Sequence, residues 1–154
     1  MHKIDKRLAE LGITLPSPAK PVASYVPWVR TGNLIFVSGQ ITMVDGKPQH
    51  IGKLGADISV EDGVKAARTC AINILSHLRD ACDGNLDRVI RIVKLVGFVN
   101  STPDFVKQPT IINGASDLLG EVFGEKGRHA RSAVSVASLP FGVSVEIEAI
   151  AEIE

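Results

Sequence analysis

Apolar residues recur along this chain with two periods, and the switches between them lay out its elements. From Val60 to Ala81 the residues Val60, Val64, Ala67, Ala71, Ile74, Leu78 and Ala81 return every three or four positions, the spacing of a helix with one buried face. Ser59-Val60-Glu61-Asp62 heads this helix as a capping box with Asp in the usual Glu place. Asp83-Gly84-Asn85 stops it. His77 falls on its polar side and reads as a solvated surface residue. Near the C-terminus the period drops to two. Val143, Val145, Ile147, Ala149, Ala151 and Ile153 alternate with Ser144, Glu146, Glu148, Ile150, Glu152 and Glu154, a strand with one buried and one acidic face.

Other stretches are read against these two. Asp5 to Leu11 predicts a short helix ended by Gly12. Pro16 to Pro21 carries three prolines and reads as an extended connector. Residues 1–21 are thus expected to be a leader and 22–154 a single domain. Tyr25–Arg30 and Leu34–Gly39 flank Thr31-Gly32-Asn33 and predict a β-hairpin. Residues 42–58 read as a loop. Between Arg88 and Asn100 both alternating sets are mostly apolar: Val89, Arg91, Val93, Leu95, Gly97, Val99 and Ile90, Ile92, Lys94, Val96, Phe98. A central strand covered on both faces is expected. A second helical region follows Ser101-Thr102-Pro103-Asp104 up to Phe123, interrupted near Pro109. Arg131–Ala137 and Val143–Ile153 are expected to form a closing hairpin around Leu139-Pro140-Phe141-Gly142. The order ββ-α-β-α-ββ implies an α+β fold, a mixed sheet with two helices on one face.

Length and charge narrow the functional classes. The chain has 154 residues, with 17 basic and 17 acidic side chains. One domain with an ordinary core fits this size. A balanced charge disfavours nucleic acid as a partner. Cys70 and Cys82 would stand about 18 Å apart on one helix, too far for a disulfide. No Cys/His cluster has metal-ligand spacing, and no cofactor motif is present: there is no P-loop, no Gly-x-Ser-x-Gly elbow and no Gly-x-Gly-x-x-Gly. The N-terminus mixes acid and base without an apolar core, unlike a signal peptide, and no window is apolar enough to span a membrane. A cytoplasmic protein without metal or cofactor is expected.

Three features could carry chemistry. Arg131 opens a strand of small residues and could grip a carboxylate or phosphate with its planar fork. On pattern alone an exposed strand-edge residue or an ion-pair partner is the favoured reading. Glu146, Glu148, Glu152 and Glu154 form an acidic ladder, which ordinarily is a solvated sheet face but could hold a general base. Ser38-Gly39-Gln40 ends a strand, and its glycine would let a ligand approach the backbone.

Together these segments resemble a known family. Tyr25 followed by Gly32-Asn33-Leu34-Ile35-Phe36-Val37-Ser38-Gly39-Gln40-Ile41, then Asp104-Phe105, Ala130-Arg131-Ser132, Leu139-Pro140 and Glu146-Ile147-Glu148-Ala149-Ile150-Ala151 is similar to the RidA/YjgF superfamily, also called the endoribonuclease L-PSP family, over about residues 22–153. The resemblance implies a chorismate-mutase-like α+β fold and a homotrimer with ligand sites between subunits. It also implies cofactor-independent hydrolysis of reactive enamines and 2-imino acids, such as 2-aminoacrylate and 2-iminopropionate, to 2-keto acids and ammonia. The family's carboxylate-gripping arginine falls on Arg131 and its water-positioning glutamate on Glu146. The ligand-lining tyrosine falls on Tyr25, the Ser-Gly pair on Ser38 and Gly39, and the helix asparagine on Asn113.

The chain departs from the family pattern in three places. Ala133 stands where many members carry cysteine, leaving only its backbone N–H and C=O for a ligand. The leader is longer than in the shortest members, and the segment between Asp104 and Arg131 is several residues longer than in well-known deaminases. These departures suggest a divergent branch. Two other functions are weighed beside deamination: a trimeric small-carboxylate binder without turnover, and an endoribonuclease. The last is disfavoured because no His pair is placed for acid–base cleavage.

Overall fold

A computed structural model of the chain describes residues 1–18 and 23–154. Three helices are present among them, α1 (Lys3–Glu10), α2 (Val60–Ala81) and α3 (Gln108–Phe123). The strands are β1 (Trp28–Thr31), β2 (Leu34–Ile41), β3 (Met43–Val44), β4 (Lys47–Pro48), β5 (Val89–Asn100), β6 (Ala130–Val136) and β7 (Val145–Ile153). Five strands make one mixed sheet in the order β1-β2-β7-β5-β6, while β3 and β4 pair separately. Among the described strands only β5 and β6 run parallel, joined by α3 as a crossover. The α+β architecture and the RidA-type layer order expected from the sequence are both present, with α2 and α3 on one face of the sheet.

Local signals place several elements. Ser59 Oγ accepts from the Asp62 N–H at 3.1 Å and starts α2. Gly32, at φ +59°, turns the β1–β2 hairpin. In β7 the residues Val145, Ile147, Ala149, Ala151 and Ile153 are all buried. They meet Ala67, Cys70, Ala71, Ile74 and Leu78 of α2 and Ile111, Ile112, Ala115, Leu118 and Leu119 of α3 in one core. Each large aliphatic side chain so buried contributes about 1.5–3 kcal/mol relative to exposure. Both thiols are buried, and burial raises their pKa values, so neither is a reactive nucleophile.

The leader lies against this domain. Leu8 and Leu15 are buried in the same core. The backbone N–H groups of Lys3 and Ile4 donate to the Asp87 carboxylate at 2.9 and 2.8 Å, and Arg7 Nε donates to the Glu121 carbonyl at 2.7 Å. Ala19, Lys20 and Pro21 of the Pro-rich connector, with Val22 and hence the expected 21/22 boundary, lie outside the described residues.

Five local expectations are corrected. First, β6 and β7 are not a hairpin. β5 lies between them, pairing with both, because the longest apolar strand has partners for both of its edges. Second, β5 is covered on one face only within the chain. Two bulges, between Val89 and Arg91 and between Ile92 and Lys94, break its period. Val89, Ile92 and Leu95 therefore face the core, whereas Arg91 is exposed. Third, Pro109 does not interrupt the second helix. It sits in the first turn of α3, where its missing N–H has no helical partner to lose. Fourth, β1 starts at Trp28, after Pro27, and Tyr25 lies in a bend before it. Fifth, His77 is 3% exposed. The leader crosses this side of α2, with Ser76 Oγ donating to the Pro16 carbonyl at 2.7 Å. Burial lowers the His77 pKa, with Asp80 acting the other way.

Candidate functional site

Arg131 lies on β6, at the edge of the sheet, in register with the buried Leu95. Its side chain therefore takes the helix-bearing side, where α3 meets it. Arg131 Nη1 donates to Asn113 Oδ1 at 2.8 Å and to Ser116 Oγ at 3.2 Å. Among the described residues no carboxylate pairs with it, and its Nε and Nη2 hydrogens have no protein partner. A guanidinium held by two neutral acceptors keeps its full charge for a ligand. An open cleft of about 700 Å³ lies beside it, lined by Asn113, Ser116, Asp117, Arg128, His129 and Arg131 among others.

Sequence reasoning missed Ser116 and His129. Ser116 Oγ lies 2.9 Å from His129 Nε2, and His129 Nδ1 lies 2.7 Å from the Gly127 carbonyl oxygen. A signal for both was available. Ser116 is one helical turn beyond Asn113, and His129 precedes Arg131 by one strand period.

Glu146 lies on β7 in register with Phe98 of β5 and Ile41 of β2. Phe98 alternates with the buried Leu95 and Gly97, so Glu146 faces the side without helices. Next to it, β2 carries a bulge between Val37 and Gln40 that contains Ser38 and Gly39. Ser38 Oγ donates to the Val26 carbonyl at 3.0 Å and the Ser38 N–H to the Pro27 carbonyl at 2.9 Å. The bulge is thereby tied to the segment that carries Tyr25, which is 60% exposed. The Glu146 side chain packs flat on Gly39: a Cβ there would stand 2.9 Å from Glu146 Cδ. Burial pushes the Glu146 carboxyl above its ordinary pKa, and the nearby Glu148 carboxylate pushes the same way.

The candidates thus form two groups. Arg131, Asn113 and Ala133 share the helix side of β6, with Ala133 packed against the core. Glu146, Gly39 and Ser38 gather near the middle of the open side. The two groups occupy opposite faces of one sheet, with β5 between β6 and β7. Glu146 accordingly does not line the cleft beside Arg131. The open face mixes apolar and charged side chains: Phe36 and Val134 are exposed and Val96, Phe98 and Ile150 partly so, beside Lys94, Glu146 and Glu148.

A five-stranded mixed sheet with two helices on one face is the layout of a chorismate-mutase-like α+β protein. A family model described as "YjgF/chorismate mutase-like, putative endoribonuclease" matches residues 5–153. The chain belongs to this family, within the RidA/YjgF superfamily. It is 48% identical to protein TCP17 of Trypanosoma cruzi, over 98% of this chain and 94% of that one. A 2-iminobutanoate/2-iminopropanoate deaminase of Dermatophagoides farinae is 28% identical over 92% of this chain and 95% of its own. Among solved structures, a protein of unknown function from Agrobacterium tumefaciens superposes with a TM-score of 0.92 at 51% identity, covering 98% of this chain and 92% of that one. E. coli TdcF with bound serine superposes with a TM-score of 0.63 at 28% identity, covering 90% and 94%. The layout therefore follows the Agrobacterium protein more closely than it follows TdcF. Among the described residues no helix is long and apolar enough to cross a membrane.

Proposed function

We propose that this protein hydrolyses 2-imino acids and their enamine tautomers to 2-keto acids and ammonia, at sites built between copies of the chain in a homotrimer. The observation that carries the reading is the charge arrangement. Arg131 is an unpaired guanidinium with two free donor positions, and Glu146 is a half-buried carboxyl of raised pKa. Their separation on opposite faces supports a composite site, in which Arg131 of one copy meets the Glu146 group of the next. The exposed apolar side chains of the open face support the same assembly, since a neighbouring copy would cover them.

Each group has a role in this chemistry. The substrate carboxylate sits on Arg131 Nε and Nη2 as a bidentate pair, with Nη1 fixed by Asn113 and Ser116. Glu146 accepts a hydrogen bond from water and takes its proton as the water oxygen bonds to C2. The C=N bond of the protonated imine becomes C–N in a neutral carbinolamine. Glu146 returns the proton to the carbinolamine nitrogen, then takes the proton of its hydroxyl as C=O forms and the C–N bond breaks, so that ammonia and the keto acid leave. Ser38, Gly39 and Tyr25 line the Glu146 side, and the Ala133 backbone lines the Arg131 side. Holding two reactants already electrophilic and nucleophilic in one geometry suffices for a reaction of this kind.

The test generates 2-imino acids from several L-amino acids with an amino-acid oxidase and traps them with semicarbazide. Added protein should divert the imine to keto acid and lower the trapped fraction. Arg131→Ala should lose this effect, by about 2–5 kcal/mol of transition-state binding. Saturable keto-acid binding without imine diversion would replace the deaminase with a carboxylate-binding protein. No imine diversion and no keto-acid binding, across small and bulky substrates, would refute both.

A further inference from the structure

His129, Ser116 and Arg131 form a hydrogen-bonded row whose direction one carbonyl sets. The Gly127 carbonyl, 2.7 Å from His129 Nδ1, can only accept, so the neutral imidazole carries its proton on Nδ1. His129 Nε2 is then an acceptor, and the Ser116 hydroxyl donates to it at 2.9 Å. The Ser116 oxygen turns its lone pairs to Arg131 Nη1, which donates to it at 3.2 Å. The second Nη1 hydrogen goes to Asn113 Oδ1. Nη1 is saturated, and the rest of the fork is presented to the cleft.

We propose that His129 is a positioning residue: through Ser116 it sets how the Arg131 fork is held, and it couples carboxylate binding on that fork to uptake of a proton. The inference rests on Arg131 as the carboxylate anchor. Protonating His129 makes Nε2 a donor, so the Ser116 oxygen must accept from two cations while its own hydrogen turns away. An anion on Arg131 relieves that state. Binding therefore favours the imidazolium, and by reciprocity the imidazolium favours binding.

The charged groups around the ring come from every element that packs there. Arg131 lies on β6, Asp117 and Glu121 lie on α3, and Arg128 lies in the preceding turn. Arg91 of β5 donates to the Arg128 carbonyl, and Glu125 pairs with Arg128 at 3.7 Å. Burial holds the His129 pKa below its ordinary 6.5, the Gly127 carbonyl opposes this, and the Arg131 charge adds to it. The unliganded ring is thus neutral at pH 7, and a carboxylate on Arg131 cancels the last of these causes.

The experiment titrates 2-oxobutyrate into the full chain between pH 8 and pH 5 by calorimetry, and follows the His129 ring by NMR. His129→Gln keeps an acceptor for the Ser116 hydroxyl but does not titrate. The wild type should bind roughly fivefold more tightly at pH 5 than at pH 8, with the His129 pKa rising on saturation. His129→Gln should bind near the wild-type value at pH 8 and lose most of this rise. The remainder is the share of Glu146, whose carboxyl also loses charge toward pH 5, and Glu146→Gln should keep the His129-dependent share. Equal slopes in wild type and His129→Gln, with ligand bound to both, would overturn the inference and leave the Arg131 anchor standing. So would a slope lost in Glu146→Gln instead. No binding to the wild type at any pH would overturn the anchor and the inference together.

Discussion

Gly39→Ala should separate the chemistry at Glu146 from the stability of the fold. Gly39 has no positive φ, so its backbone accepts alanine. Its new Cβ, however, would collide with a Glu146 carboxylate oxygen and stand 2.9 Å from Cδ and 3.2 Å from Cγ. Ordinary contact begins at 3.4 Å. The carboxylate group must therefore swing away, its nearer oxygen by about 1 Å. A displacement of that size at a catalytic group costs about 100-fold in rate. Stability moves little, because replacing a glycine at a compatible backbone contributes about 0.4–1 kcal/mol and a half-buried side chain can turn. The imine-trapping assay should show kcat down about 100-fold with KM nearly unchanged, since Arg131 is untouched. The thermal midpoint and the sedimentation coefficient should match the wild type. A folded, correctly assembled Gly39→Ala protein with full turnover would refute the role given to Glu146.

Further outcomes concern Glu146, His77, Gly114 and the buried leucines of the first fifteen residues. Glu146 must be ionised to take a proton, so turnover should fall as pH drops through its raised pKa. The fold penalises its charged form, so Glu146→Gln should be inactive yet more stable than wild type at pH 7, a gain that fades below the ordinary 4.5, where the wild-type carboxyl is protonated folded or unfolded; urea midpoints at pH 7 and pH 4 check this. His77 has a depressed folded pKa, so its contribution is present above the ordinary 6.5 and lost as pH falls below it. His77→Gln should flatten the urea midpoint against pH between 7 and 5. A Cβ on Gly114 would strike the Val64 backbone carbonyl where α2 and α3 touch, so Gly114→Ala should cost about 1–3 kcal/mol, read as a lower melting temperature. Leu8→Ala and Leu15→Ala should each cost about 2–4 kcal/mol in denaturant unfolding while leaving kcat per folded molecule unchanged, because both side chains are core and neither lines the cleft beside Arg131.

Much of this protein is legible in short stretches of sequence because the causes are local. The Ser59 cap, the apolar stripe of α2, the Gly32 turn and the alternation of β7 each involve residues within a few positions of one another, and each element forms where those signals stand. The side chains that make up the candidate site are legible too, but only one by one and through resemblance. Their relation is not. Whether Arg131 and Glu146 share a face depends on the register of β5 against both β6 and β7, and a shift of one residue would reverse the answer. The β2 bulge that sets Gly39 beneath Glu146 and the bulges that turn Arg91 outward are likewise products of pairing. His77 is buried by a leader distant in sequence, and Ser116 meets His129 only because α3 crosses back to deliver β6 beside β5. Period and capping act along the chain, whereas register, strand order and burial are set by contacts between segments that the chain alone does not bring together.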